Sequence, residues 1–178
     1  MGIIKYILGF LVLMLMSFQQ PQDYDVISWS ANSRLNWKNF QGKVPLSARA
    51  AATTASGITY RFSTSGTKEN MEVDFKIDTF FYPTKSWYQP ELCDALILSH
   101  EQLHFDISEL FARKMKKRLH QETFTHRNVK AKVKTIYREI MKELDAFQDQ
   151  YDSETNFSRD REQQLIWNKK IENLLEEK

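Results

Sequence analysis

The sequence contains little cysteine and little net charge, and each shortage excludes a class of protein. Its 178 residues include a single cysteine, Cys93, so no intrachain disulfide can form. The 25 basic and 23 acidic residues are interspersed and leave a net charge of only +2. Because no basic stripe is interleaved with aromatic residues, we expect no binding to nucleic acid. We expect Cys93 to be a buried small residue at a helix start rather than a metal-binding thiolate.

Internal repeats and low-complexity tracts are also missing, and the composition is typical of one globular domain. Hydrophobic residues make up 42% of the chain and aromatic residues 13%, which is enough for a real hydrophobic core at this length. The sequence therefore predicts a single domain over residues 19–178.

The N-terminus carries a hydrophobic run. After Lys5, the stretch from Tyr6 to Phe18 is almost entirely apolar, a length that fits the hydrophobic region of a secretory signal peptide better than a membrane span. We therefore expect residues 1–18 to be a signal peptide and the protein to be secreted or periplasmic. No small-x-small cleavage site precedes Gln19, and an uncut leader would instead anchor the protein in a membrane.

Between the leader and residue 90 the hydrophobic residues follow a period of two, which indicates strands. The clearest alternation of apolar with charged residues is at Met71, Val73, Phe75 and Ile77. Residues 50–63 show a weaker alternation, and turn residues separate the two segments, so we expect a hairpin. Residues 29–45 have aromatics but no clean period, and there we expect one short strand and loops.

Three stretches with a helical period follow the strands. Pro90 and Glu91 are typical of a first helical turn, and they predict a helix that continues to about Leu119. A second amphipathic helix runs from Val129 through Tyr151 and should pack against the first, and a third extends from about residue 160 to the end. The order predicts an α+β fold, with N-terminal antiparallel strands followed by a helical half.

The first of these helices contains the run SHEQLHFDISEL, which includes an HExxH motif. Side chains four positions apart lie one above the other on a helix, so His100 and His104 can bind one Zn²⁺ while Glu101 reaches a metal-bound water as a general base. Both histidines fall in the same arc as the apolar residues of this helix, which are Leu96, Leu103, Ile107, Leu110 and Phe111. Burying two histidines without a metal or other partners would cost on the order of a few kcal/mol, so the pattern favours a zinc site.

A catalytic zinc needs a third protein ligand and an open position for water, and the residues leave this ligand open. His120 and His126 lie in a polar link, where their charge explains their placement. Glu143 borders the apolar face of the second helix. Asp152 and Glu154 follow at its end, where they could also serve as local capping groups.

Several segments of the chain resemble the bacterial family called domain of unknown function 922. They are the extended motif SHEQLHFDISELFARK, WKNF and AAATT upstream of it, and YDSET and QQLIWNKKI downstream. Members of this family are described as predicted secreted zinc-dependent proteases. The resemblance covers nearly all of the chain after the leader. It implies a zincin-like metallopeptidase domain in which His100 and His104 are ligands and Glu101 is the base.

The residues that match the family pattern also include Asp106, Tyr151, Asp152 and Thr155. The chain departs from the pattern at Phe157, where many members carry a histidine. Because phenylalanine cannot bind metal, we favour a carboxylate as the third ligand and choose Asp152 ahead of Glu143 and Glu154. Asp106 projects about 160° away from His104 around the helix, so we interpret it as an ion-pairing residue behind the metal site.

These features predict a zinc-dependent metallopeptidase that hydrolyses peptide or protein substrates. Glu101 would take a proton from water and pass it to the leaving amine. An extended peptide could bind along the strand Val73–Ile77. The alternative is a zinc-binding envelope or interaction domain with no turnover, and a third possibility is a zinc hydrolase of cell-wall amides.

Overall fold

The computed structural model describes residues 25–67 and 71–177. The predicted signal peptide at residues 1–18 lies outside these ranges, so its role stays a prediction. Within the described ranges, no helix combines the length and the apolar character needed to cross a membrane.

Among the described residues, five strands form two antiparallel sheets in the N-terminal half. The strands are β1 (Ile27–Ser28), β2 (Ala52–Thr53), β3 (Ser56–Gly66), β4 (Met71–Phe81) and β5 (Trp87–Tyr88). One sheet has the order β1-β4-β3, and the other pairs β2 with β5. Because all helices follow these strands, the predicted α+β class is confirmed.

The hairpin of β3 and β4 is the longest pairing and confirms the prediction from the period of two. The strands pair along their whole length, from Ser56 opposite Phe81 to Gly66 opposite Met71. In β4 the apolar residues are partly buried up to Ile77, while the charged residues between them are mostly exposed. Gly66 has φ 89°, a conformation that glycine adopts at little cost, where β3 ends.

Beyond residue 90, the described chain contains three α-helices. They are α1 (Ala95–His120), α2 (Val129–Glu154) and α3 (Arg161–Glu176). The predicted start of α1 at Pro90 is wrong, because Asp94 caps the helix by accepting a hydrogen bond from the Ile97 amide at 2.9 Å. The residues before Asp94 form a turn instead, in which the Leu92 amide donates to the Gln89 carbonyl.

The main core lies where α1 packs against α2, α3 and the β3–β4 hairpin. Ile107, Met115, Val133, Ile140 and Ile171 are completely buried there. Burial of each such side chain stabilises the folded state by roughly 1.5–3 kcal/mol. The predicted packing of the second helix against the motif helix is therefore confirmed.

A smaller aromatic core joins the N-terminal segment to the other side of α1. The short strand expected within residues 29–45 is not found there. Instead this segment forms one 3-10 turn, Trp37–Asn39, closed by reciprocal capping bonds between Asn36 and Asn39. The turn stacks Trp37 on Tyr88, with ring centroids 4.7 Å apart. Contact with a distant strand thus fixes a segment that has no period of its own.

Candidate metal centre

The two histidines of the motif lie one turn apart on the inner face of α1, as their helical spacing predicts. His100 is only 5% exposed, and the side chain of His104 is 12% exposed. Their Nε2 atoms are 3.3 Å apart. Two imidazole nitrogens therefore point into one small region of the interior.

Asp152, in the last turn of α2, adds a carboxylate to this pair. Its Oδ1 lies 3.1 Å from His100 Nε2 and 3.0 Å from His104 Nε2. Despite these short distances, this buried oxygen makes no well-aligned hydrogen bond among the described residues. The three separations are close to the value of about 3.3 Å expected for donors that lie about 2.0–2.1 Å from one tetrahedral metal ion. The three residues form a possible metal-binding triad, and their donor atoms fit a small divalent cation.

Glu101 lies beside the triad and gives the site a second carboxylate. The residue is 5% exposed, and its Oε2 is buried with no hydrogen-bond partner in the part of the chain that the structure describes. A buried carboxylate without partners is costly unless positive charge lies near it. Burial alone would lower the pKa of His104. The carboxylates of Asp152 and Glu101 favour the charged ring, and their effect raises this pKa above its usual value. The cluster therefore attracts a cation.

Asp152 itself is held ionised. Burial acts to raise its pKa, but the two facing histidine rings outweigh that effect and hold the pKa of the carboxyl well below its usual range. An ionised carboxylate is the protonation state that metal ligation requires, and a bound metal ion would displace the proton that the neighbouring carboxylates favour on His104.

The orientation of the His100 ring is fixed by a glutamine from α3. His100 Nδ1 lies 2.9 Å from Gln164 Oε1, and Gln164 Nε2 donates to the Tyr151 phenol at 2.7 Å and to Asn168 at 2.9 Å. Because the amide nitrogen is engaged as a donor, Oε1 is the acceptor, and Nδ1 must carry the proton. In the tautomer that this contact selects, the lone pair of His100 Nε2 is directed toward the triad.

Tyr151 completes this support from α2. Its ring stacks on the His100 ring with centroids 4.5 Å apart, and its phenol donates to the His100 carbonyl at 3.2 Å. Complete burial raises the pKa of the phenol far above its usual range, so the group stays a neutral donor. The tyrosine and the glutamine together restrict the imidazole to one position.

Sequence reasoning did not identify Gln164 as part of the site. It lies 64 residues beyond His100, so no local spacing connects the two. One signal was present: Gln164 occupies the apolar face of α3 together with Trp167 and Ile171, at positions that are all buried. A glutamine on such a face requires a buried polar partner.

The other carboxylates considered as third ligands lie away from the histidines. Glu143 forms ion pairs with Lys114 at 2.6 Å and Arg118 at 2.9 Å, and these cations hold the pKa of its carboxyl below the usual range. Glu154 accepts a hydrogen bond from Trp167 Nε1 at 2.8 Å. The structure brings only Asp152, of the three candidate carboxylates, to the triad.

The remaining histidines and the cysteine also lie elsewhere. The His120 ring packs edge-on to Phe75, and His126 Nε2 lies 3.4 Å from the Thr67 carbonyl. Cys93 lies just before α1, as expected, but it is half-buried rather than buried, and this partial burial raises the pKa of its thiol. These placements agree with roles in packing and at the surface.

Asp106 lies on the opposite side of α1 from the metal centre. It forms an ion pair with Arg34, as the sequence predicts for an ion-pairing residue. Its carboxylate accepts from Arg34 and from Trp29 Nε1, each at 2.8 Å, and from Gln102 Nε2 at 2.9 Å. The residue is 2% exposed. It fastens the N-terminal segment to the motif helix and so helps to position α1.

The triad opens into a cavity of about 500 Å³. One wall is the segment 50–54, and the Thr54 hydroxyl ties this wall to the motif helix by donating to the Glu101 carbonyl at 3.0 Å. The strand Val73–Ile77, which we expected to receive a peptide, is not part of this lining, because its apolar side packs against the helices. The size is typical of a small-ligand site.

A sequence model of the family described as bacterial protein of unknown function (DUF922) matches residues 36–160. This span includes the triad, Glu101 and the wall at residues 50–54, and it stops short of Gln164. No curated protein and no solved structure matches the chain.

Proposed function

The chain belongs to the bacterial protein family of unknown function DUF922, and on this premise we propose that it is a zinc-dependent hydrolase of peptide bonds. One observation carries the proposal. The donor atoms of His100, His104 and Asp152 converge in a cavity that Glu101 also lines, and the buried Oε2 of Glu101 has no hydrogen-bond partner among the residues that the structure describes. Catalytic zinc sites typically have three protein ligands and an open position for water, and a neighbouring base can take the proton of that water.

Two imidazole nitrogens and one carboxylate oxygen are a donor set that suits zinc. When bound, zinc would supply a water of lowered pKa and a positive charge that polarises a substrate carbonyl. His100, His104 and Asp152 would hold the ion, and Gln164 and Tyr151 would keep the first of these rings in place.

Glu101 is the proposed general base. Its Oε2 has no other hydrogen-bond partner among the described residues, so it is free to accept a proton from the attacking water and then to deliver it to the leaving amine. The preceding residue, His100, is a ligand, so the same turn of α1 fixes the base relative to the ion. Glu101 and His100 are each only 5% exposed, and this burial strengthens the charge interactions between the base and the ion.

The cavity wall at residues 50–54 is the proposed place for the substrate main chain. It contains β2, which pairs with β5 along one edge. A peptide in extended conformation could lie along the other edge by β-strand addition, with its scissile bond directed toward Glu101. This wall takes the place of the strand Val73–Ile77 in the mechanism.

The test compares the full chain with Glu101→Gln and with Glu109→Gln, an isosteric change on the same helix. All three proteins should bind zinc, because neither glutamate belongs to the triad. Cleavage of a random peptide mixture should fall by about 10²- to 10⁴-fold in Glu101→Gln only. Equal cleavage by Glu101→Gln and wild type would contradict the mechanism. Zinc binding without cleavage by the wild type would favour the non-catalytic domain instead.

Export by residues 1–18 is a separate part of the proposal. Its support is the apolar run from Tyr6 to Phe18 after Lys5. Fractionation of bacteria that express the full chain should recover it outside the cytoplasm, and N-terminal sequencing would show whether the leader is removed. Recovery from the cytoplasm alone would contradict this part.

A further inference from the structure

The turn that follows α2 has an unusual backbone at three consecutive residues. Asn156, Phe157 and Ser158 have φ values of 48°, 53° and 69°. Asparagine tolerates this left-handed region, but a bulky side chain there is an outlier, because its Cβ crowds the backbone. The turn is therefore strained at Phe157, a position where glycine would be relaxed.

Hydrogen bonds to the end of α2 hold this conformation. The Phe157 amide donates to the Asp152 carbonyl at 2.8 Å, and the Asp160 amide donates to the Thr155 carbonyl at 2.9 Å. Thr155 is fully buried, and its hydroxyl donates to the Tyr151 carbonyl at 2.8 Å. The backbone is thus fixed by the same helix end that supplies Asp152 to the triad.

Packing of the Phe157 side chain in the core does not explain why the strained backbone is tolerated. The side chain is 60% exposed, so it adds little to the hydrophobic core. A bulky apolar residue in a strained backbone normally persists when its surroundings or its function require it. Because burial is lacking here, contact with a ligand is the better explanation.

Phe157 lines the metal cavity, and two other large apolar side chains belong to the same lining. Leu92 is 57% exposed, and Ile97 lies in the first turn of α1. The segment Ala50–Ala52 contributes only small side chains to the same cavity, which leaves room for a large group. Three charged residues also line the cavity: Glu101 and Asp152 lie at the metal centre, and Arg159 is exposed two residues after Phe157.

We propose that Phe157 and Leu92 form an apolar subsite of the metal cavity, which binds a large aliphatic or aromatic side chain of the peptide substrate. The inference rests on the proposed function, since it assigns the substrate class of the same site. It makes Phe157 a specificity-determining residue and accounts for the strained turn that presents it.

The test measures the binding of N-acetyl-leucine hydroxamate and N-acetyl-alanine hydroxamate to the zinc-loaded full chain by calorimetry. Both probes carry the same zinc-binding group, so the ratio of their affinities isolates the side chain. Wild type should prefer the leucine probe by about 10- to 100-fold. Phe157→Ala and Leu92→Ala should each lower that ratio several-fold. Leu165→Ala removes an equally exposed leucine outside the cavity and should leave the ratio unchanged.

Phe157→Gly separates binding from structure. It relieves the backbone strain, so the midpoint of thermal unfolding should stay the same or rise by about 2–4 °C while the preference for the leucine probe falls. A lower midpoint with an unchanged preference would show that Phe157 serves packing, and it would overturn the subsite. Equal binding of the two probes to wild type would overturn the subsite alone. Failure of zinc, or of both probes, to bind would contradict the proposed function and the subsite together.

Discussion

The buried amide of Gln164 should control how tightly the site binds zinc. Gln164 is completely buried, and its Oε1 is the acceptor for His100 Nδ1 at 2.9 Å. Replacement by methionine keeps the length of the side chain but removes the acceptor. The Nδ1 proton of His100 is then left without its partner in an environment closed to water, and the ring loses one of the two contacts that orient it.

Two magnitudes follow from this geometry. Partners that orient a metal-binding histidine typically change metal affinity by 10- to 100-fold. This range corresponds to about 1.4–2.7 kcal/mol of binding free energy. Leaving a buried donor unpaired costs about 1–3 kcal/mol of folding free energy as well. We therefore expect Gln164→Met to weaken zinc binding by 10- to 100-fold and to lower the unfolding free energy of the metal-free protein.

The assay is competition for zinc against a chromophoric chelator at neutral pH, combined with urea unfolding of the metal-free protein. Gln163→Met makes the same chemical change one residue earlier on α3 and should leave both quantities unchanged. Gln164→Glu keeps an acceptor for His100 and should bind zinc more tightly than Gln164→Met. An unchanged zinc affinity in Gln164→Met would refute the assigned role of this hydrogen bond.

Three further variants test other parts of the structure. Asp152→Ala should weaken zinc binding by at least about 100-fold in the same competition assay, while Glu154→Ala should not; equal effects would argue against Asp152 as a ligand. Asp106→Ala leaves three hydrogen-bond donors without their acceptor and should lower the unfolding free energy in urea by about 2–3 kcal/mol; a loss below about 0.5 kcal/mol would contradict its anchoring role. Glu143→Gln should cost less than about 1 kcal/mol at neutral pH, because the ion pair is partly exposed. The pKa of Glu143 is lower in the folded protein than in the unfolded chain, so the ion pair stabilises the fold at pH values above the unfolded pKa. The difference in unfolding free energy between Glu143→Gln and wild type should therefore vanish as the pH falls through the folded pKa.

Elements with a local period could be predicted from the sequence, and those fixed by distant contacts could not. The β3–β4 hairpin and the three helices follow from alternation and helical spacing, because each pattern buries one face. The predicted start of α1 at Pro90 was wrong because Pro90 and Asp94 are both typical of helix starts. The helix begins after Asp94, whose side chain makes the capping hydrogen bond. The 3-10 turn at Trp37 depends on stacking with Tyr88, which local sequence does not reveal.

The candidate site divides in the same way. His100 and His104 could be paired from sequence because one helix fixes their separation. The choice of Asp152 depended on the family resemblance, since nothing in the spacing connects the end of α2 to the motif. Gln164 and the cavity wall at residues 50–54 reach the site only through the packing of α3 and of β2 against α1.

Metal analysis of the purified full chain would show whether His100, His104 and Asp152 bind one zinc ion. Wild type should contain about one zinc per chain after equilibration with zinc and removal of the excess. His104→Ala should lose this zinc, while His126→Ala, which removes a histidine outside the triad, should keep it. A wild-type protein that retains no zinc, or a His104→Ala variant that retains as much as wild type, would show that these three residues are not a zinc site.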